Sequence, residues 1–201
     1  MKARIAVLAS GGGTNLQAII DHFAALGDAA CGEVVVVASN RATAGALERS
    51  RAAGIPAIVF DARSEDDLLR ILTGHDVQLI ALAGYLRLVP PGVIAHYRGR
   101  IVNVHPGPLP AFGGAGMYGV RVHEAVLASH ARESAVTVHL VTESYDDGPP
   151  LAIWPVPVLD NDTPDALAAR VLRVEHIIFP RIIDALAATI AADDGMHSGA
   201  R

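Results

Sequence analysis

Ile5-Ala-Val-Leu-Ala-Ser-Gly-Gly-Gly-Thr-Asn-Leu-Gln-Ala-Ile-Ile20, near the start of the 201-residue chain, carries most of the information about the fold. Its first five residues form an unbroken apolar run, which is typical of a β-strand buried on both faces. Three glycines at 11–13 interrupt that run, and Thr14 can cap a helix whose apolar residues recur at helical spacing. A strand, a glycine turn and a helix in this order predict an α/β domain.

The same alternation continues along the chain. Four further apolar runs predict buried strands: residues 33–38, 57–60, 77–82 and 100–104. Helical patterns separate them at residues 42–53 and from Ser64 onward, where acidic residues open the helix. Because each strand is followed by a crossover segment, the strands are expected to pair in parallel.

After a helix near residues 120–128 the pattern changes. Residues 134–141 alternate between apolar and polar, and residues 151–158 form an extended run in which Pro155 and Pro157 predict an edge strand. Thr163 begins a long C-terminal helix. The sequence therefore predicts an α/β fold with a doubly wound, mostly parallel sheet of about seven strands, helices on both faces and an antiparallel edge near the C-terminal part.

Length, charge and cysteine content narrow the function. Residues 1–190 are expected to form a single domain, and residues 191–201 a disordered tail. A net charge of −5 without a basic block disfavours a nucleic-acid surface, and no run is long enough to span a bilayer. The single cysteine, Cys31, cannot form an internal disulfide, which favours a reducing cytoplasm.

The glycine loop offers a first candidate binding site. A glycine turn between a strand and a helix presents backbone N–H groups at the positive end of the helix, which suits a phosphate. Leu16 stands where the dinucleotide fingerprint would need its third glycine, and no Gly-Lys-Ser/Thr follows for a Walker loop. A plain tight turn is the competing interpretation.

The segment Ile101-Val-Asn-Val-His-Pro-Gly-Pro-Leu-Pro110 gives the strongest indication of catalysis. Asn103 and His105 lie two residues apart in a predicted strand, so both side chains project to the same face. An amide can hydrogen-bond an oxygen that gains charge, and an imidazole can accept or donate a proton near pH 7. The pair therefore suits reaction at a carbonyl carbon.

A carboxylate after the alternating strand is the third candidate. Asp146 could lie at the same rim of the sheet, where it would favour the imidazolium form of His105 and hold the ring. Asp147 is a rival for this role on the residues alone, and both could simply begin a turn before Gly148. The histidine spacings specify no metal site, and the chain has no serine-nucleophile elbow.

Five segments indicate a family by their sequences and by their order along the chain. They are Ser10-Gly-Gly-Gly-Thr-Asn-Leu-Gln-Ala-Ile19, Ala83-Gly-Tyr-Leu-Arg-Leu-Val89, Asn103-Val-His-Pro-Gly-Pro-Leu-Pro110, Tyr145-Asp-Asp-Gly-Pro149 and Arg170-Val-Leu-Arg-Val-Glu-His176. Together they closely resemble the phosphoribosylglycinamide formyltransferases, folate-dependent enzymes of purine synthesis. The likeness runs from the first strand to about residue 180. It implies that residues 1–190 form a formyltransferase domain with a phosphate-binding N-terminal half and a folate-binding, catalytic C-terminal half.

The resemblance implies a role for each matching residue. The catalytic set would be Asn103, His105 and Asp146, with Asp146 raising the pKa of His105. The ribonucleotide would be held at its phosphate by Gly13, Thr14 and Asn15, and at its ribose by Glu175. The folate would contact Arg63, Leu86, Arg87, Leu88, Val89, Asn103, Thr142, Glu143, Ser144, Tyr145 and Asp146.

The implied reaction moves the formyl group of 10-formyltetrahydrofolate, a co-substrate, to the amine of glycinamide ribonucleotide, and it needs no metal. The partners would then be small molecules, with no nucleic acid or membrane, and the chain a monomer or a homodimer. A formyltetrahydrofolate hydrolase is the main alternative, although such enzymes usually carry an extra N-terminal domain. A non-catalytic phosphate- or nucleotide-binding module would explain the glycine loop but leave the catalytic set unused.

Three positions depart from the family pattern. Gly12 stands where an asparagine is common, and Leu172 occupies a position near the phosphate that is often polar or cationic. The segment Ala111-Phe-Gly-Gly-Ala-Gly-Met-Tyr-Gly119 is longer than the corresponding loop in many relatives.

Overall fold

The structure, a computed structural model, describes the backbone of residues 1–198 and the side chains of residues 1–193. Its strands are β1 (Ala3–Leu8), β2 (Gly32–Ser39), β3 (Ala57–Val59), β4 (Leu79–Leu82), β5 (Ile101–His105), β6 (Glu133–Leu140) and β7 (Pro150–Pro157). Its helices are α1 (Thr14–Leu26), α2 (Gly45–Ala52), α3 (Glu65–Gly74), α4 (Pro91–His96), α5 (Val120–Ala128) and α6 (Pro164–Ser198), with a 3₁₀ turn at Gly27–Ala29.

One sheet holds all seven of these strands in the order β3-β2-β1-β4-β5-β6-β7. The strands from β3 to β5 pair in parallel, and β6 and β7 are antiparallel to their neighbours. The predicted mostly parallel sheet with an antiparallel edge is confirmed. Since the strand order reverses between β1 and β4, the crevice beyond the carboxyl ends of these strands is where a ligand is expected.

The sheet is covered on both faces because alternate residues of each central strand point to opposite sides. In β1, Ile5 and Val7 join a core with α1, α5 and α6, whereas Ala6 and Leu8 join a core with α3 and α4. All four side chains are completely buried. This two-sided burial explains why the first strand reads as a continuous apolar run.

Strand β7 ends the sheet, as its prolines predict. The N–H of Val158 donates to the carbonyl oxygen of Arg132 at 3.0 Å, so the N–H positions that alternate with it point toward β6. Pro155 and Pro157 fall at the outward positions between them. A residue without an N–H is tolerated there because no ladder bond is needed.

The expected cap of α1 is wrong. Gly13 occupies the N-cap position with φ 76°, and no side chain caps the helix. Thr14 is instead the first helical residue. The left-handed backbone of Gly13 turns the chain into the helix, so the cap position falls on a residue that has no side chain.

Two helix boundaries differ from expectation, and one short helix was not expected. Helix α2 begins at Gly45 rather than at residue 42, and the short helix α4, with Pro91 in its first turn, was not predicted. Helix α6 continues to Ser198, into the segment expected to be a disordered tail, because its alanine-rich sequence favours a helix. The rest of that tail, residues 199–201, lies outside the described residues. None of the helices in the described range is long and apolar enough to cross a membrane.

Candidate active site

A cavity of about 520 Å³ opens at the carboxyl edge of the sheet, where the loops after β1, β4 and β5 meet the segment after β6. Its polar lining residues include all three expected catalytic side chains, Asn103, His105 and Asp146. Asn15 and Glu175 also line the cavity. Residues from both halves of the chain therefore converge on one space.

His105 is the last residue of β5 and is only 3% exposed. Its Nε2 lies 2.8 Å from the carbonyl oxygen of Phe112, and its Nδ1 lies 3.5 Å from Asp146 Oδ2. A carbonyl can only accept, so Nε2 carries the proton in this arrangement. A second proton would go to Nδ1, on the side of the carboxylate.

The pKa of His105 departs from the expected direction. Burial lowers the pKa of the imidazole, while Asp146 and the Phe112 carbonyl act to raise it. Asp146 thus acts in the predicted sense, but desolvation outweighs it and the net pKa lies below the ordinary histidine value. The ring is consequently poised as a neutral donor that gains a proton when negative charge develops nearby.

Asp146 is held in place by several contacts. Its Oδ2 accepts from the N–H of Gly114 at 3.0 Å, and Asn103 Nδ2 lies 3.4 Å from its Oδ1. Burial opposes ionisation, but the contacts with His139, His105 and the Gly114 N–H outweigh it and lower the pKa of the carboxyl. Its rival Asp147 is exposed and does not line the cavity. The geometry favours Asp146.

His139 is a site residue that sequence reasoning missed. It is the antiparallel partner of Asn103 across β5 and β6, and its Nε2 lies 3.1 Å from Asn103 Nδ2. His139 Nδ1 faces the carbonyl oxygen of Leu140 at 2.8 Å, and its Nε2 also lies 3.6 Å from Asp146 Oδ1. His139 therefore contacts both the Asn103 amide and the Asp146 carboxylate. The pairing register, had it been known, would have revealed this.

The long loop at residues 111–119 contacts both His105 and Asp146. The Phe112 carbonyl accepts from His105 and the Gly114 N–H donates to Asp146, as described above. Met117, Tyr118 and Gly119 line the cavity. The buried His123 of α5, which follows this loop, also lines the cavity, and its Nδ1 has no partner among the described residues. The extra length of the loop thus closes one side of the site.

The expected ribonucleotide residues divide into two groups. Asn15 Nδ2 donates to Glu175 Oε2 at 2.6 Å, and both residues line the cavity. Glu175 is 6% exposed, and burial raises the pKa of its carboxyl against the opposing effect of the Asn15 hydrogen bond. Asn15 Oδ1 is buried and has no partner among the described residues. Gly13 and Thr14 do not line the cavity themselves but lead into α1 beside it.

All but two of the expected folate residues line the cavity. Those that line the cavity are Leu86, Arg87, Leu88, Val89, Asn103, Thr142, Ser144, Tyr145 and Asp146. Glu143 is exposed outside the lining, and the Arg63 side chain, 91% exposed, pairs with Asp61 at 3.1 Å. In the described part of the chain, no cluster of three His, Cys, Asp or Glu residues has the arrangement of a metal site.

Gly13→Ala is expected to destabilise the fold by about 2 kcal/mol or more. The φ of 76° is unfavourable for alanine, and a Cβ there would lie 2.6 Å from Ala46 Cα. Gly11→Ala is the matched control, since a Cβ at Gly11 has open space and no positive φ. Urea unfolding measures both, and equal stability of the two variants would contradict this assignment.

Comparison with known proteins identifies the family. Residues 3–183 match the family model described as formyl transferase. The chain belongs to the formyl transferase family. This confirms, at the level of the family, the resemblance drawn from the sequence motifs.

Individual relatives agree with this assignment. This formyl transferase is 41% identical over 193 residues to the chloroplastic phosphoribosylglycinamide formyltransferase of Arabidopsis thaliana, which covers 92% of the chain but only 65% of the length of that relative. It is 39% identical over 186 residues to phosphoribosylglycinamide formyltransferase of Escherichia coli K12, covering 89% of the chain and 84% of the relative. The crystal structure of phosphoribosylglycinamide formyltransferase from Brucella melitensis matches with a TM-score of 0.84 and 42% identity, over 94% of this chain and 97% of that one.

Proposed function

We propose that this formyl transferase moves the formyl group of 10-formyltetrahydrofolate to the amino group of glycinamide ribonucleotide. The observation that carries the proposal is the convergence of Asn103, His105 and Asp146 in a cavity that also contains the Asn15–Glu175 pair. The first set suits chemistry at a carbonyl carbon, and the second offers hydrogen-bonding groups for a ribose. The relatives named above carry this activity in their names.

The folate would occupy the apolar part of the cavity. Leu86, Leu88 and Tyr145 are large apolar side chains that remain more than a third exposed at its wall. Exposed apolar groups around a concave site favour a flat heteroaromatic ring such as a pterin. Backbone groups of residues 86–89 would then read the polar edge of the ring.

The reaction begins when the amine nitrogen attacks the formyl carbon, and the formyl oxygen takes negative charge. Asn103 Nδ2–H and His105 Nε2–H would donate to that oxygen, once the Phe112 carbonyl gives up its bond to Nε2. Asn103 Nδ2 lies 3.1 Å from His139 Nε2 and 3.4 Å from Asp146 Oδ1, so the longer contact with Asp146 would give way to the formyl oxygen. As the oxygen gains charge, His105 would take up a proton from solvent at Nδ1, beside Asp146, and would return it when the intermediate collapses.

The tetrahedral intermediate then collapses. The attacking nitrogen loses one proton and the leaving N10 gains one, carried by a water held at Asp146, and the bond between the formyl carbon and N10 breaks. The products are the N-formylated ribonucleotide and tetrahydrofolate, so atoms and charges balance. No step requires a metal or a change of redox state.

Ultraviolet absorbance of the folate on mixing with the ribonucleotide tests the proposal. An absorbance change that requires both compounds is the expected result. A change with formyl-folate alone would replace the transferase with a hydrolase, in which water takes the place of the amine. No change under either condition would support a non-catalytic binding module.

Glu175→Gln is expected to separate stability from binding. Because burial raises the pKa of Glu175, this group favours the folded state below its unfolded pKa and loses that contribution as the pH rises through its folded pKa. At pH 7 the neutral glutamine should therefore raise the unfolding temperature, and this gain should shrink toward acidic pH. The KM for the ribonucleotide should rise by about tenfold, because glutamine accepts hydrogen bonds from the ribose less well than a carboxylate.

Thermal unfolding between pH 4 and pH 8 and steady-state kinetics check the two effects of Glu175→Gln. The exposed Glu124 on α5 provides the control, and Glu124→Gln should change neither quantity. Loss of stability in Glu175→Gln at neutral pH would show that the buried charge is compensated in the free protein.

A further inference from the structure

Three consecutive carbonyl groups of the glycine loop are all hydrogen-bonded. Gly11 accepts from the N–H of Ala46 at 3.1 Å, and Gly13 accepts from the N–H of Gln17 at 2.9 Å. Between them, the Gly12 carbonyl accepts from a side chain, Arg49 Nε, at 2.9 Å. By contrast, the N–H groups of Gly12, Gly13 and Thr14 have no acceptor in the part of the chain that the structure describes.

Packing of α2 under the loop places Arg49 there. The Cα of Gly45 lies so close that an added Cβ would be 3.2 Å from the Gly12 carbonyl oxygen, and Arg49 follows one helical turn later. The guanidinium is half-buried, and its Nη1 also donates to Gln17 Oε1 on α1 at 3.1 Å. The planar guanidinium of Arg49 therefore links the Gly12 carbonyl to α1.

The carbonyl and the N–H of one peptide point in opposite directions. A bond that anchors the Gly12 carbonyl toward Arg49 consequently fixes the Gly13 N–H so that it points away from α2. Leu172 of α6, a hydrocarbon side chain, lines the same cavity as Asn15 and Glu175. In the described part of the chain, the cationic side chain that hydrogen-bonds this loop is Arg49 of α2, whereas Leu172 of α6 is apolar.

We infer that Arg49 is a positioning residue for the phosphate of the ribonucleotide. It holds the Gly12–Gly13 peptide with its N–H toward the phosphate, and its charge favours a dianion at the start of α1. This inference rests on the proposed function for the identity of the substrate. Arg49 would act in this way although it is half-buried on α2 and does not line the cavity.

The test replaces Arg49 by methionine, which keeps the length of the side chain but removes the fork and the charge. We expect Arg49→Met to raise the KM for glycinamide ribonucleotide by about tenfold, while kcat and the KM for formyl-folate stay within about twofold. Arg49→Lys retains a donor and the charge, so its KM should rise by less than about threefold. Arg51→Met makes the same change at an exposed position of the same helix and should match the wild type.

A second substrate separates positioning of the phosphate from a general structural effect. Glycinamide riboside lacks the phosphate, so its kcat/KM should be equal in wild type and Arg49→Met. An equal loss with both substrates, or a ribonucleotide KM in Arg49→Met within about twofold of wild type, would overturn the inference. Thermal unfolding of each variant identifies any that fails to fold, in which case Arg49→Lys carries the comparison.

Binding of inorganic phosphate, measured by calorimetry, tests Arg49 without relying on transfer. Affinity should fall by about tenfold in Arg49→Met and stay unchanged in Arg51→Met. Unchanged phosphate affinity in Arg49→Met would overturn the inference even if transfer is observed. Absence of ribonucleotide-dependent transfer in the wild type, with the phosphate result as expected, would instead overturn the proposed function alone.

Discussion

His105→Ala is expected to lower kcat for formyl transfer by about a hundred- to a thousandfold, the typical effect of removing one donor to a developing oxyanion. The ring supplies the Nε2–H at the end of β5, and no other side chain of the described cavity occupies that place. The ribonucleotide should still bind, because the Asn15–Glu175 hydrogen bond does not involve His105, whose ring contacts Phe112 and Asp146. The loss should therefore fall on kcat and not on the KM for the ribonucleotide.

Single-turnover kinetics and calorimetric binding of the ribonucleotide check the His105→Ala result. His96→Ala is a suitable control, since His96 is exposed on α4 and does not line the cavity. Turnover of His105→Ala within about tenfold of the wild type would remove the imidazole from the reaction.

Asp146→Asn should lower kcat by at least about a hundredfold. Asp146 has φ 53°, a backbone conformation that asparagine tolerates, and an amide oxygen can still accept from the Gly114 N–H. The substitution therefore removes the charge with little change of shape. Without the carboxylate, burial acts on His105 with less opposition, and the pKa of the ring should fall further below its ordinary value.

An NMR titration of the His105 ring and the pH dependence of kcat measure the Asp146→Asn effect together. The ring resonance should titrate at lower pH in Asp146→Asn than in the wild type. Asp147→Asn is the matched control, because Asp147 is the adjacent carboxylate and lies exposed outside the cavity. Loss of activity in Asp147→Asn, with activity kept in Asp146→Asn, would show that Asp147 and not Asp146 takes part in the reaction.

Local patterns predicted most of the fold. A continuous apolar run, a glycine turn and an amphipathic helix specify a parallel crossover unit, and the prolines of β7 specify an edge. The predicted cap of α1 was wrong because the start of the helix depends on the backbone angle of Gly13, which the residue type alone does not determine. Helix α4 was missed because six residues are too few to show a helical period.

The site was predictable where its members are close in sequence. Asn103 and His105 share a face through strand geometry, whereas the choice of Asp146 over Asp147 needed the family resemblance and then the coordinates. His139 faces Asn103 only through the register of β5 and β6, and the loop carbonyl of Phe112 meets His105 through chain folding that no periodicity encodes. Long-range pairings of this kind are what sequence patterns leave undetermined.

The two prolines at the outward positions of β7 affect whether the sheet edge can pair with another molecule at high protein concentration. An edge strand normally exposes a row of donors onto which another chain can add, and such addition leads to fibres. Here Pro155 and Pro157 interrupt that row, beside the large exposed side chains of Ile153 and Trp154. The backbone of β7 therefore cannot pair continuously with a strand of another molecule, which disfavours aggregation along this apolar edge.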